Sequence, residues 1–284
     1  LKYFLADKFM KHHQFSQFTK HKGYYVRNTP LQKISYTGYT TKRNAQQKKF
    51  YTDRKHILRT SFFNILLPIV QRTHRLYPKQ TLFILDAGCG DGVALRALLD
   101  IHTKTKIPMK LFGMDIDETI KKDLPPSVAF SKGSLTKILF PKNTFHMIIS
   151  LQTLEHLSPL DVQATLREFH RVLQPQGIVY VETPNPESVQ SQVMGNTWYM
   201  LLPEHLTLLP PKPLKDMFIK EGFQYIKCTT RVEDDSQINE AWNILRKISF
   251  PGLRYIPWRT KLFLLKWILY CFYKGAITTG LAEK

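Results

Sequence analysis

The stretch Leu82-Phe83-Ile84-Leu85-Asp86-Ala87-Gly88-Cys89-Gly90-Asp91-Gly92 decides the fold. A short apolar run ends in an acid, passes into a glycine-rich turn, and leads to Val93–Ile101, which has helical spacing. Strand, glycine turn and helix in that order form a nucleotide-type site at the C-terminal edge of a sheet. Glycine lets the backbone turn sharply and approach a ligand without a Cβ in the way. The spacing is Gly-x-Gly-x-Gly, with Val93 where a dinucleotide fingerprint needs its last glycine. Asp86 and Asp91 would repel a pyrophosphate, and they suit a ligand that carries positive charge.

Working outward, short apolar runs alternate with helical ones. Strands are expected at Lys110–Asp115, Val128–Ser131, Met147–Leu151 and Ile178–Glu182, with a helix over Leu160–Leu173. Alternation of this kind, with fully apolar strands, predicts an α/β fold whose mostly parallel sheet carries helices on both faces. Lys212–Glu221 reads as a helix with Gly222 beyond its end. Phe223–Arg231 and Gly275–Glu283 complete a Rossmann-like sheet of seven strands. Upstream, the helical pattern from Ala45 to about Leu76 is expected to bend or break at Pro68. The expected organisation is a basic N-terminal arm over 1–45, a core over 46–235, a helical cap inserted over 236–274, and a final core strand over 275–284.

The glycine stretch resembles the first motif of class I S-adenosylmethionine-dependent methyltransferases. The resemblance continues through Phe112-Gly113-Met114-Asp115-Ile116-Asp117, Lys132-Gly133-Ser134-Leu135, Ile148-Ile149-Ser150-Leu151 and Val181-Glu182-Thr183-Pro184-Asn185, and covers roughly residues 80–230. It implies S-adenosylmethionine as cofactor, with the loop Asp86, Ala87, Gly88, Cys89, Gly90 and Gly92 under its methionyl part. Asp115 would accept the ribose hydroxyls, which is also the role of the acid in dinucleotide folds, and Ile116 would pack on the adenine. Ser134 stands where the family often has Asp, so Ser134 and Leu135 would serve largely through the backbone. Ser150 and Leu151 end the fourth core strand beside the expected cofactor.

On the acceptor side, His156 follows that strand and is a candidate general base, its ordinary pKa lying near neutrality. Some ubiquinone-pathway O-methyltransferases and small-RNA 2′-O-methyltransferases carry Glu-x-x-Glu-His here and bind a divalent cation. This chain has Gln152 for the first Glu, so no metal is assigned. The alternative that His205 completes a site with Glu155 and His156 stays open. Trp198-Tyr199-Met200-Leu201-Leu202-Pro203-Glu204-His205-Leu206 resembles methyltransferases of cell-surface glycan and lipid modification, which implies Trp198 and Tyr199 in the acceptor pocket and His205 among the catalytic residues.

The net charge is +19, and it is unevenly placed. Residues 1–80 hold 17 Lys/Arg against Asp7 and Asp53, whereas residues 81–284 are nearly balanced, with 24 against 20 acids. A basic front favours an anionic partner, here an anionic membrane surface or RNA. Cys89, Cys228 and Cys271 are too few and too scattered for a disulfide framework or a paired-cysteine metal motif. No apolar run reaches the roughly 18 residues of a spanning helix. The expectation is a cytoplasmic enzyme, with contact at the membrane periphery left open, acting by O-methylation on a small-molecule, lipid or saccharide acceptor. The alternatives are an RNA methyltransferase that uses the basic front and a non-catalytic binding protein on the same scaffold.

Overall fold

Leu82, Ile84, Leu85 and Ala87 are all buried, so the strand they form must be covered on both faces. The computed structural model of the chain describes residues 15–28, 45–231, 257, 260 and 275–284. In it this strand, β3 (Leu82–Ala87), lies inside a seven-stranded sheet. The others are β4 (Met109–Asp115), β5 (Ala129–Lys132), β6 (Phe145–Leu151), β7 (Leu173–Pro184), β9 (Gln224–Arg231) and β10 (Ile277–Glu283). The order is β5-β4-β3-β6-β7-β10-β9, parallel except for β10, which runs antiparallel to both its neighbours. Strand order reverses between β3 and β6, and ligands of open α/β sheets bind at such a switch point.

Helices cover both faces. On one side α1 (Ala45–Leu76) and α2 (Val93–Thr105) bury Leu66, Val70, Leu95 and Leu98 against Ile84, Met147 and Tyr180. On the other side α3 (Pro159–Val172) and α5 (Pro211–Lys220) bury Leu166, Phe169, Leu214 and Phe218 against Leu85, Ile148 and Val181. Helix α3 begins with a reciprocal cap: Ser158 Oγ accepts from the Asp161 backbone N–H at 3.2 Å and donates to its carboxylate at 2.7 Å. Helix α1 continues through Pro68, where a bend or a break was expected, so the proline does not interrupt it. Leu66 and Val70, on either side of the proline, are wholly buried against the sheet, and tertiary packing outweighs the lost backbone bond. Strand β7 starts five residues earlier than its apolar run, because Leu173 pairs with Phe145 before an irregularity in the ladder.

A second, small sheet was not announced by any sequence period. Strands β1 (Phe18–His21) and β2 (Tyr24–Arg27) form a hairpin, and β2 pairs with β8 (Thr207–Leu208). The hairpin turn is Lys22-Gly23, with φ of 48° and 89°, the two-residue geometry whose twist matches antiparallel strands. Phe15, Phe18, Trp198 and Leu208 form its core, with Phe15 stacked on Trp198 at 5.9 Å. A short helix, α4 (Val189–Met194), leads into the loop that carries Trp198. The expected cap over 236–274, apart from Pro257 and Thr260, and most of the expected arm lie outside the described residues. Among the described residues no helix is long and apolar enough to cross a membrane.

Candidate active site

The chain leaves β3 through three left-handed glycines, Gly88 (φ 83°), Gly90 (φ 47°) and Gly92 (φ 75°). A Cβ at Gly88 would come within 2.4 Å of the Thr153 side chain, and one at Gly92 within 2.7 Å of Leu124. A Cβ at Gly90 would meet nothing within 4 Å. Packing against Thr153 therefore requires glycine at 88, at Gly92 the contact is only with the flexible end of Leu124, and Gly90 faces open space at the rim of the sheet. The loop is stitched to the neighbouring strand: the N–H groups of Gly88 and Cys89 both donate to the Met114 carbonyl, at 2.8 and 3.0 Å.

Asp115 ends β4 beside this opening. Its carboxylate accepts from the Gly90 N–H and the Asp117 N–H, both at 3.0 Å. Burial raises its pKa, and the two amide bonds work against the rise. Ile116 next to it is 48% exposed, an uncovered apolar face at the same edge. Asp86 lies beneath the loop, fully buried, and its carboxyl is pushed up to about 8, first by desolvation and then by the charges of Asp115 and Asp91. Asp91 is paired with Lys55 of α1 at 2.7 Å. The rim of the loop fits S-adenosylmethionine: a bare backbone at Gly90 for close approach, the Asp115 carboxylate beside it for a ribose, and the exposed apolar side chain of Ile116 for an adenine.

The side chains at the remaining expected cofactor contacts are engaged within the protein. Ser150 Oγ donates to the Ala87 carbonyl at 2.9 Å, tying the ends of β6 and β3 together. The Cys89 thiol is buried, its pKa driven far upward by desolvation, and packs under Gly113. Ser134 Oγ is engaged with the Thr136 hydroxyl at 2.9 Å, and the Leu135 side chain is in the core with Met114 and Ile138. Leu151 is half-buried, and its carbonyl accepts from Thr153 Oγ1 at 3.1 Å.

The acceptor side begins directly beyond Thr153. The 3-10 turn Leu154–His156 places Glu155 in the interior, where Oε2 accepts from Thr183 Oγ1 at 3.1 Å and Oε1 is buried with no partner among the described residues. Desolvation pushes this carboxyl up to about 8. His156 Nδ1 lies 3.2 Å from the Glu204 carbonyl, and His205 Nδ1 lies 2.7 Å from the Met200 carbonyl. A carbonyl can only accept, so each Nδ1 in these contacts carries the hydrogen. The two rings meet edge to face at 4.8 Å. Burial, then the neighbouring His156, lowers the His205 pKa to about 3, and the ring is neutral. Donor atoms of Glu155, His156 and His205 all lie within 4.8 Å of one another, and these three could hold a metal ion.

Of the expected acceptor residues, Trp198 is buried against the hairpin, its indole N–H without a partner among the described residues, and Tyr199 is half-buried with its hydroxyl 3.5 Å from Gln190 Oε1. Four participants escaped sequence reasoning as side chains of the site: Arg27, Thr153, Thr183 and Gln190. Thr153 is foreshadowed by its place two residues past β6. Arg27 and Thr183 carry no local signal, because each acts on a segment distant in sequence, and Gln190 is brought to Tyr199, nine residues on, only by the fold of the loop between them.

The family model described as a methyltransferase domain matches residues 62–227, more than half of the chain. The chain belongs to this methyltransferase family. Its domain is of the class I, S-adenosylmethionine-dependent kind. The methyltransferase is 30% identical over 105 residues to a probable S-adenosylmethionine-dependent methyltransferase of Mycolicibacterium smegmatis, a match covering 36% of this chain and 38% of that protein. It is 26% identical over 178 residues to a demethylmenaquinone methyltransferase of Chlorobaculum tepidum, covering 61% and 67%. The chain thus spans only about two fifths of the first curated relatives it matches. Its architecture is shared with a possible histamine N-methyltransferase of Thermotoga maritima, with a TM-score of 0.53, 14% identity, and coverage of 87% of this methyltransferase and 98% of that chain.

Proposed function

We propose that the protein transfers a methyl group from S-adenosylmethionine to an oxygen atom of a small-molecule, lipid or saccharide acceptor. The observation that carries this reading is the joining of Glu155, His156 and His205 immediately beyond the glycine loop. Bound S-adenosylmethionine supplies an electrophilic methyl group on a sulfonium. A neutral amine can attack such a carbon without first losing a proton, whereas a hydroxyl needs its proton removed. Three titratable groups in one cluster, Glu155 and His205 buried and His156 partly exposed, match the second need. His156 takes the acceptor proton, His205 orients the hydroxyl, and Glu155, whose carboxyl burial pushes up to about 8, stabilises the imidazolium once it is ionised. The Nδ1 bonds to the Glu204 and Met200 carbonyls hold both rings in place.

The test is uptake of labelled methyl from S-adenosylmethionine by a lipid extract, a glycan preparation and RNA, each offered separately to the purified chain. Label in lipid or glycan supports the proposal. Label in RNA alone, with a steep salt dependence, would instead favour the basic front as a nucleic-acid surface. Failure to bind S-adenosylhomocysteine at all would leave only a binding module on this scaffold.

A second reading is favoured by one detail, the buried Oε1 of Glu155, which has no hydrogen-bond partner among the described residues. A divalent cation between that oxygen and the two imidazoles would satisfy it and lower the pKa of the acceptor hydroxyl. Metal analysis of the protein after incubation with zinc or manganese separates the readings: retention of the ion that is lost in His205→Ala supports the cation.

A further inference from the structure

The N-terminal hairpin reaches the acceptor side through one residue. Arg27 donates from Nε to the His205 carbonyl at 2.9 Å and from Nη2 to the Leu202 carbonyl at 2.6 Å. Its Nη1 donates to Gln17 Oε1 at 2.8 Å, its backbone N–H donates to the Leu206 carbonyl at 3.0 Å, and its guanidinium lies over the Phe18 ring at 4.6 Å. From the opposite side the Leu206 N–H donates to the Glu155 carbonyl at 2.7 Å, and Thr207 Oγ1 donates to the Leu157 carbonyl at 2.7 Å. The segment that carries His205 is therefore held between two anchors, the turn with Glu155 and His156 on one side and Arg27 on the other.

We propose that Arg27 is a positioning residue for His205, so that the hairpin is a working part of the acceptor site; this rests on the role given to His205 above. Packing alone would not call for an arginine here. Phe15, Phe18, Trp198 and Leu208 already join the hairpin to the loop. A partly buried guanidinium carries a desolvation cost, and its Nε and Nη2 donors both go to carbonyls in the few residues around His205. A planar fork fixes two carbonyls at once, and a lysine ammonium, a single point charge, cannot hold the same pair with the same geometry. The imidazole is then set from both ends: Met200 accepts from its Nδ1, and Arg27 grips its backbone.

The experiment reads the ring directly. The full chain, with 15N-labelled histidine, S-adenosylhomocysteine and a chelator, is compared as wild type, Arg27→Ala and Arg27→Lys by imidazole NMR. The wild type should show His205 as a single tautomer with a slowly exchanging Nδ1 proton. In Arg27→Ala, and in Arg27→Lys should the alanine variant not fold, that signal should broaden towards tautomer averaging while S-adenosylhomocysteine affinity is kept. Methyl transfer to the acceptor fraction that takes label should fall by about 100-fold, as expected of a misplaced group, and the loss should largely vanish in a His205→Ala background. Unchanged ring signals in a folded Arg27→Lys or Arg27→Ala protein, or an equal loss of transfer with and without His205, would overturn the proposal. Full transfer by His205→Ala would instead remove His205 from the reaction, while the ring spectrum still reports whether Arg27 orders it.

Discussion

Exchanging Gly88 or Gly90 for alanine separates the two uses of glycine in this loop. Both residues have positive φ, so alanine at either pays a left-handed penalty of about 1–2 kcal/mol. At Gly88 the new methyl also lands 2.4 Å from Thr153, and such overpacking adds about 1–3 kcal/mol. Gly88→Ala should therefore lose roughly 2–5 kcal/mol of stability, and Gly90→Ala only the smaller amount. The ranking inverts for binding. At Gly90 the methyl meets nothing of the protein and projects into the space assigned to the cofactor, so S-adenosylhomocysteine should bind about 100-fold more weakly, or some 2.7 kcal/mol. Denaturant melts give the stabilities, and calorimetry gives the affinities. A suppressor sharpens the test: Thr153→Ala removes the clashing side chain and should restore to Gly88→Ala the overpacking part but not the backbone part. Undiminished affinity in Gly90→Ala would refute the placement of the cofactor over that residue, and equal stability of the two variants would refute the packing argument for Gly88.

Other outcomes follow from the same geometry. Asp115→Asn should weaken S-adenosylhomocysteine binding by about 1–3 kcal/mol, through loss of charge-assisted hydrogen bonds, with little change in melting temperature because burial already disfavours the carboxylate; calorimetry and thermal melts check both halves. Asp86 makes binding depend on pH. Its carboxyl is held near 8 in the ligand-free fold, and a cationic ligand favours the ionised form, so affinity should rise with pH up to about 8 and then level off, with Asp86→Asn flattening the profile. The stability of the ligand-free protein moves the other way, falling between the usual carboxylate range and pH 8, because the unfolded chain gives up a proton that the fold retains. Trp198→Ala should cost about 3–5 kcal/mol by emptying the hairpin core, while Trp198→Phe retains most of the packing; urea melts distinguish them. Glu155→Gln should remove the ionisation near pH 8 from the pH profile of methyl transfer, measured with the acceptor that takes label.

The central architecture was legible in the residues because it depends on local order. Apolar runs of strand length alternating with helical periods require a covered parallel sheet, and the Asp86–Gly92 loop can only be a sharp turn at its edge. Asp115 was readable for the same reason, since the end of the next strand in a parallel sheet lies beside the first. Distinctions among neighbours in the loop were not readable. Gly88 and Gly90 are the same residue type, and only the distance to Thr153 shows that one serves packing and the other leaves an opening. Ser150 looks like a ligand contact in sequence, yet its hydroxyl ties two strands together. The acceptor side belongs almost wholly to tertiary structure. His156 and His205 are 49 positions apart, and Arg27 is further still from both, so no local period links them. Residues 15–28 have no strand signal strong enough to stand alone, and their hairpin is held by Trp198 and by Thr207–Leu208. Backbone preference and hydrophobic spacing act over a few residues and thus specify the sheet and its ligand loop. A buried carboxyl, a neutral imidazole and a guanidinium clasp arise only when the folded chain excludes water and brings distant segments together.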